Sequence, residues 1–305
     1  MHLEAALVPD RGALAVTNDF FRSRELYDAE GVSHTLGVGE AMVTPLVVRE
    51  IDGELLRDAV SPYGYPGAAV RGPVAIDEVN WSTSGLVSIF LRDRIGAEPS
   101  LRGATLRSTV QIADPSKPLK LREQHRRHIR RNAREGYSPR VLAGPGSEPE
   151  DREQFREAYR ETMVRTEASA RYFFDGAWFD TVLASPLSWL VAVDPPGGGP
   201  IAAGAIAVES DGMLHYFLGG TADEHLEASP FKNAVEAMIE LAGDRGEPLS
   251  LGGGVREGDS LEQFKRGFAN ASAPFHTCEI VGDSAAYDRL SAGRDAGGFF
   301  PAYRA

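Results

Sequence analysis

A single cysteine, Cys278, stands in 305 residues. One thiol excludes a disulfide within the chain and a cysteine-built zinc site, and it fits a reducing cytoplasm. Its setting, Phe275 to Val281, reads as an apolar strand, so Cys278 is expected to be a buried structural thiol rather than a nucleophile. No apolar run approaches the ~20 residues that a membrane-spanning helix needs. Met1-His2-Leu3-Glu4 brings an acid early and no basic stretch ahead of a short apolar run, which argues against a secretion signal. Positive charge is scarce: 32 Lys and Arg face 44 Asp and Glu, for a net charge of -12. Bulk electrostatics therefore do not suit a general nucleic-acid binder. Low-complexity segments and short-period repeats are also missing.

What is present is 42% hydrophobic and 25% charged residues, the balance of an ordinary globular protein. The length exceeds one typical core and suits two domains. Against the acidic average, the stretch Lys117 to Arg134 holds eight Lys or Arg and one acid, Glu123.

The second half of the chain has the clearer pattern. Tyr137 to Leu142 fits a short strand, followed by the turn Ala143-Gly144-Pro145-Gly146. Ser147-Glu148-Pro149-Glu150 has capping-box spacing with an early proline, which predicts a helix start. Phe155, Tyr159 and Met163 then recur every four residues as one apolar stripe. Asp175 is placed to cap a second helix with Trp178, Phe179, Val182 and Leu183 on one face. Three strands are expected next, at Leu187 to Val193, Ile201 to Val208 and Met213 to Leu218, the last one ending at Gly219-Gly220. Pro230 opens a helix carrying Ala234, Val235, Met238, Ile239 and Ala242. Pro248 to Leu251 is a short strand that runs into Gly252-Gly253-Gly254. Asp259 or Ser260 starts a helix with Leu261, Phe264 and Phe268 on one face, and His276 to Val281 is the last strand. A helix between two strands makes a crossover, so a mixed sheet is expected. This order resembles the acetyltransferase (GNAT) fold.

In the first half, strands are expected at Ala13 to Val16, Ser33 to Val38, Ala41 to Ile51 and Thr105 to Gln111. A helix is expected at Ser84 to Arg94 and a basic helix at Pro118 to Arg134. The expected architecture is α/β with tandem GNAT-like domains, each a mixed twisted sheet flanked by helices. The first, degenerate, covers residues 1–136 and recruits the tail 285–305; the second, catalytic, covers residues 137–284.

Three glycines after a strand let a backbone approach a ligand closely and allow positive φ, although a plain flexible turn has the same composition. Strand carboxyl ends are where ligands gather in open α/β sheets. With Asp259-Ser260-Leu261 and Phe264-Lys265 following, the segment resembles the C-terminal part of the Fem family. Further segments carry the resemblance: His215-Tyr216-Phe217-Leu218-Gly219-Gly220-Thr221 with Pro230 and Asn233; Phe155 through Phe179 as paired helices; Arg130-Arg131-Asn132-Ala133-Arg134-Glu135-Gly136; and the loop Ser61-Pro62-Tyr63-Gly64-Tyr65-Pro66-Gly67. The long helical-hairpin insertion of some members is absent, which leaves the lipid-linked substrate open.

The resemblance implies an aminoacyltransferase that moves an amino acid from aminoacyl-tRNA to the amine of a peptide, peptidoglycan-precursor or peptidyl-metabolite acceptor. It implies that Phe264 and Lys265 support the transition state, with no metal and no cofactor beyond the tRNA co-substrate. No nucleophile-elbow pattern is evident, so direct attack by the amine fits best. Read on its own, Lys265 is also compatible with a helix surface. Tyr63, Tyr65, Tyr216, Gly252, Gly253 and Gly254 are the candidate substrate-binding residues; for Tyr63 and Tyr65 the alternative is surface packing. Asp58 either holds an amine by charge or is a solvated acid. Arg126, Arg127, Arg130 and Arg131 form a cationic helix face that either contacts tRNA or nucleotide phosphates, or pairs with the acidic body of the protein. His125 and His128 share a helical face, but crowding arginines disfavour a metal. His215 is expected in the core.

The acyl-CoA signature of the GNAT fold, Gln/Arg-x-x-Gly-x-Gly/Ala before a helix, is missing. Gly219-Gly220-Thr221-Ala222-Asp223-Glu224-His225 stands in its place, and two acids there oppose a pyrophosphate. Two alternatives remain: an acyl-CoA-dependent N-acyltransferase, and a non-catalytic tRNA- or partner-binding module.

Overall fold

A computed structural model describes residues 2–10, 17–119, 121–254, 256 and 258–305. The strand expected at Ala13 to Val16 lies outside these. The chain divides into two compact units: residues 1–16, 30–109 and 274–305, and residues 17–29 and 110–273.

The first unit starts with a meander of β1 (Leu3–Val8), β2 (His34–Val38), β3 (Met42–Glu50) and β4 (Arg57–Val60), all antiparallel neighbours. Two short strands, β5 (Ala69–Val70) and β6 (Val79–Asn80), pair with β3 and β1. Then β7 (Ser88–Arg92) lies parallel to β4. The strand Ala271–Val281 pairs antiparallel with β7, Thr277 opposite Arg92 through Val281 opposite Ser88. Leu36, Val38, Met42, Leu46, Ile89 and Cys278 are among the side chains of its core. The helix expected at Ser84 to Arg94 is not formed. Trp81–Ser84 makes a 3-10 turn, Gly85 at φ +69° ends it, and the apolar run that follows is extended because its neighbours on both sides are strands.

The second unit repeats this pairing. β8 (Thr105–Ala113) enters it through its last residues. β9 (Ser138–Ala143), β10 (Ser188–Asp194), β11 (Ala203–Ser210) and β12 (Met213–Thr221) form the antiparallel meander. β13 (Leu249–Gly252) lies parallel to β12, and β8 closes the row antiparallel to β13. In both units four meander strands are thus followed by a parallel fifth and an antiparallel sixth. The sixth strand is never the next one in the chain: β8 follows β7 in sequence yet pairs with β13, while Ala271–Val281 follows β13 yet pairs with β7.

Helices α1 (Arg24–Ala29), α2 (Glu123–Glu135), α3 (Pro149–Arg165), α4 (Gly176–Leu183), α5 (Phe231–Arg245) and α6 (Ser260–Arg266) belong to the second unit. Asp175 caps α4 as expected, accepting from the Trp178 N–H at 2.8 Å. The capping box at Ser147 does not form. Ser147 Oγ donates to the Gly144 carbonyl instead and accepts from Arg152 Nε. β12 does not stop at Gly219-Gly220 but runs to Thr221. Glycine is required there by packing: a Cβ on Gly220 would come within 2.5 Å of the Ala158 carbonyl and of Tyr159 Cα on α3. The segment Phe20-Phe21 packs edge-on against Phe217 at 5.5 and 5.8 Å. Arg22 adds an ion pair with Asp211.

Candidate active site

The site grows from the way β12 and β13 meet. Their parallel pairing covers two positions, Leu214 with Leu249 and His215 with Ser250, although β12 continues to Thr221. Two irregularities fall just past these pairs. On β12, Ala207 faces Tyr216 and Ile206 faces Leu218, so Phe217 is an extra residue, a bulge of the kind that re-aims neighbouring side chains. On β13 the register with β8 shifts between Ser250 and Gly252, and Gly252 takes φ +77°, which a side chain would disfavour.

Beyond Gly252 the chain turns into α6. Asp259 caps that helix, its Oδ1 accepting from Glu262 N–H at 2.7 Å and its Oδ2 from Arg256 N–H at 2.9 Å. Glu262 Oε2 accepts from Gly258 N–H at 2.7 Å. Gly254 must lack a side chain because Asp259 and the Arg256 carbonyl occupy the space a Cβ would need. This stitched turn fixes the direction of α6. The helix buries Glu262 and Lys265, while Leu261, expected on the apolar face, is 38% exposed.

Lys265 is 8% exposed. Its Nζ donates to the Gly253 carbonyl at 2.7 Å and stands 5.4 Å from the centre of the Tyr216 ring. Loss of water around the ammonium lowers its pKa to about 8, against the partly offsetting charge of Asp259. Phe264 is half-buried among Phe231, Phe268 and His125, at 6.2, 5.3 and 5.3 Å between rings. Tyr216 meets Phe231 at 5.5 Å, and burial raises its phenol pKa. Lys265, Phe264, Tyr216, Gly252, Gly253 and Gly254 thus come together. The arrangement is a nearly dry ammonium, held by a backbone carbonyl and an aromatic face, at the carboxyl end of a short parallel strand pair.

Most of the remaining candidates are held by partners of their own. Tyr63 and Tyr65 belong to the first unit, in a non-strand loop. There the Tyr63 N–H donates to Glu30 Oε2 at 3.0 Å, and the Tyr65 ring meets Phe275 edge-on at 4.9 Å. Asp58 is neither solvated nor open to an amine. It is fully buried, paired with Arg49 at 2.9 Å and with Arg304, and accepts from the Tyr303 hydroxyl at 3.0 Å. The basic helix starts at Glu123 rather than Pro118. On it Arg126, Arg127 and Arg130 are exposed, and Arg126 pairs with Glu123. Arg131 turns inward and donates to the Ala228 and Glu227 carbonyls at 3.0 and 3.3 Å.

His125 stacks on Phe268 at 4.3 Å, and its pKa falls to about 4 through burial and nearby cations. His128 Nδ1 lies 2.7 Å from Lys232 Nζ. His215 is a core residue, 4.9 Å edge-on from Phe21, with burial lowering its pKa to about 4. Cys278 is buried and its pKa rises to about 12. Lys232, among the residues that open α5, is buried.

Among known proteins, residues 120–266 match the model of the acetyltransferase (GNAT) domain. No curated protein matches the chain. Its structure is similar to the crystal structure of FemX, with a TM-score of 0.58 at 10% identity over 88% of this chain and 93% of that one. It is also similar to the C-terminal domain (DUF2156) of a putative lysylphosphatidylglycerol synthetase from Agrobacterium fabrum, at 0.56 and 11% over 88% and 89%. A third likeness is to L-PGS from Bacillus licheniformis, at 0.53 and 13% over 80% and 82%. Among the described residues no helix is long and apolar enough to cross a membrane. The chain therefore has the fold of FemX, and its residues 120–266 are similar to the acetyltransferase (GNAT) domain.

Proposed function

We propose that this chain is an aminoacyltransferase that uses aminoacyl-tRNA to acylate the amine of a peptide, a peptidoglycan precursor or a peptidyl metabolite. The observation that carries the reading is the buried Lys265 ammonium, held by Gly253 beside the mouth of the β12–β13 pair. The acceptor's neutral amine attacks the ester carbonyl, and a C–N bond forms as the carbonyl electron pair moves onto oxygen. Lys265 stabilises that oxyanion, or the ribose oxygen as it departs. Collapse breaks the C–O bond. The amine gives up a proton and the ribose hydroxyl gains one, so the step needs no oxidant, metal or covalent enzyme intermediate. A donor aimed at developing charge in a water-poor site is worth roughly 2.7–4 kcal/mol.

The Tyr216 ring faces the lysine head, and Phe264 packs on Phe231, Phe268 and His125. Arg126, Arg127 and Arg130 supply exposed positive charge for the RNA backbone. The place where a coenzyme A pyrophosphate turn belongs carries Asp223 and Glu224, which supports an RNA donor over acyl-CoA.

The test is incubation with a pool of aminoacyl-tRNAs bearing labelled amino acids, plus a cell extract. The labelled product names donor and acceptor together. Lys265→Ala is expected to lower transfer about 100- to 1000-fold, the equivalent of the stabilisation above, with the unfolding transition retained. Transfer at the wild-type rate in Lys265→Ala removes the lysine from the mechanism. Labelling from acyl-CoA alone rejects the tRNA reading.

A further inference from the structure

Lys265 is carried by α6, and seven residues are too few for a helix to hold its own direction in water. Asp259 and Glu262 stitch its first turn. Its far end is tied to α2. The N–H of Arg122, the N-cap residue of α2, donates to the Gly267 carbonyl at 2.8 Å. α2 is itself fixed. Ile129 is buried in the core of the second unit, and Asn132 Nδ2 donates to the Ala228 carbonyl at 3.0 Å and to Asn233 Oδ1 at 2.9 Å.

One side chain fills the angle between α2 and α6. His125, 3% exposed, stacks on Phe268 with ring centres 4.3 Å apart and planes at 29°, and lies 5.3 Å from the Phe264 ring. Its ring takes the space that a side chain at Gly267 would need: a Cβ there would meet His125 Nδ1 at 2.7 Å and strike Cε1. Gly267 has φ -69°, which any residue adopts. Glycine therefore serves there to let the ring come close. Burial, with Lys232 on α5 and Arg122 and His128 on α2, lowers the His125 pKa to about 4, so the imidazole is uncharged at neutral pH. Its buried Nδ1 has no hydrogen-bond partner among the described residues. A buried nitrogen left without a partner costs stability. Neither charge nor that nitrogen explains the ring; its flat shape does.

We infer that His125 is a positioning residue for Lys265. It backs Phe264 and Phe268 and lies flat on Gly267, so it fixes the tilt of α6 from behind. That tilt sets the Lys265 ammonium 2.7 Å from the Gly253 carbonyl oxygen and 5.4 Å from the centre of the Tyr216 ring. A shift of α6 by about 1 Å would carry the first contact past hydrogen-bonding distance and admit water to the ammonium. The catalytic consequence rests on the acyl-transfer reading above; the placing of Lys265 does not.

The experiment follows the 13Cε resonances of lysine against pH in the full chain, for wild type, His125→Ala, His125→Leu, His125→Phe and Ile129→Val. The chain has four lysines, and loss of a signal in Lys265→Arg identifies the one of interest. In the wild type, Lys265 is expected to titrate at about 8. Alanine leaves a void behind Phe264, and leucine refills it with a side chain that cannot lie flat on Gly267. Both are expected to raise the midpoint by about one pH unit or more, toward the ordinary ~10.4, and to lower kcat for transfer about ten- to hundredfold. Leucine carries the test if alanine does not fold. His125→Phe keeps a flat ring and is expected to keep the wild-type midpoint. Ile129→Val loosens the same helix one turn further on, and is expected to lower thermal stability without moving the midpoint. A wild-type midpoint in folded His125→Ala or His125→Leu overturns the assignment. So does an equal rise in Ile129→Val, which would trace the effect to general loosening. A raised midpoint in the alanine or leucine variant, from a wild type that transfers from no donor, keeps the placing of Lys265 and rejects the acyl-transfer reading.

Discussion

Lys265 is a side chain whose chemistry depends on its surroundings more than on its identity. On an open helix it would titrate near 10.4; buried beside Gly253 it titrates at about 8. Its folded-state pKa is thus lowered, and the charged form that the proposed reaction needs disappears as pH rises through 8. The profile of kcat/KM against pH is expected to fall above about 8. Lys265→Arg keeps its charge at every accessible pH, so its residual activity is expected to lack that limb. A limb at the same pH in Lys265→Arg would assign the titration to another group.

The sequence placed Phe264-Lys265 next to the glycine turn through a family resemblance. Periodicity alone put Phe264 on the buried face and left the lysine unplaced. Neither reading reveals burial of an ammonium, because that depends on where α6 points, and α6 points where Asp259 and Glu262 tie its first turn. Asp58 illustrates the converse. A charged residue ahead of a Tyr/Gly/Pro loop looks available for a ligand, yet Arg49 and the distant C-terminal pair Tyr303-Arg304 take it up. Contacts across about 245 positions leave no local trace in composition.

At the scale of elements, the strongest packing constraint falls on β12, where α3 crosses Gly220 so closely that a methyl group would strike backbone. Backbone cannot swing aside as a side-chain tip can, so Gly220→Ala is expected to cost about 1–3 kcal/mol. Gly243 on α5 has nothing within 4 Å of a built Cβ. There alanine is expected to stabilise by about 0.8–1 kcal/mol through helix propensity. Urea denaturation of the two variants checks the opposite signs, and equal shifts would contradict the packing account.

Most elements of the second unit were legible in the sequence, because their apolar residues recur at clean spacings and Pro, Gly and Asp punctuate them. α3, α4 and α5 are such cases. β7 was not. Ser88-Ile89-Phe90-Leu91-Arg92 is a short apolar run without contrast between faces, and such a run fits a buried helix segment as well as a strand. Its conformation is decided by β4 and by Ala271–Val281, which lie far away in sequence. Gly219-Gly220 was misread for a related reason. Two glycines usually mark a turn, whereas here they make room for the neighbouring α3 and for the Phe231 ring.

For the whole molecule, the two units share one pairing pattern but exchange the chain segments that supply the sixth strand. A fragment spanning residues 137–284 lacks β8, α2 and the segment 17–29. It would lose Ala113 and Ile129 from the core of the second unit and leave β13 without its antiparallel neighbour. Such a fragment is expected to show no cooperative thermal transition. A sharp transition, with the backbone amides of β13 protected from exchange, would contradict this dependence.

The exchange also sets an order of events at the ribosome. The first unit takes its sixth strand from residues made late, since Ala271–Val281 follows β1 to β13. While the second half is being synthesised, β7 waits with one edge bare, and a bare strand edge is where chains stick to one another. The second unit has no such wait, because β8 leaves the ribosome before the strands it joins. The second unit can therefore complete its sheet while the first is still held open, so a stalled or truncated chain would release a finished second unit attached to a sticky, unfinished first one.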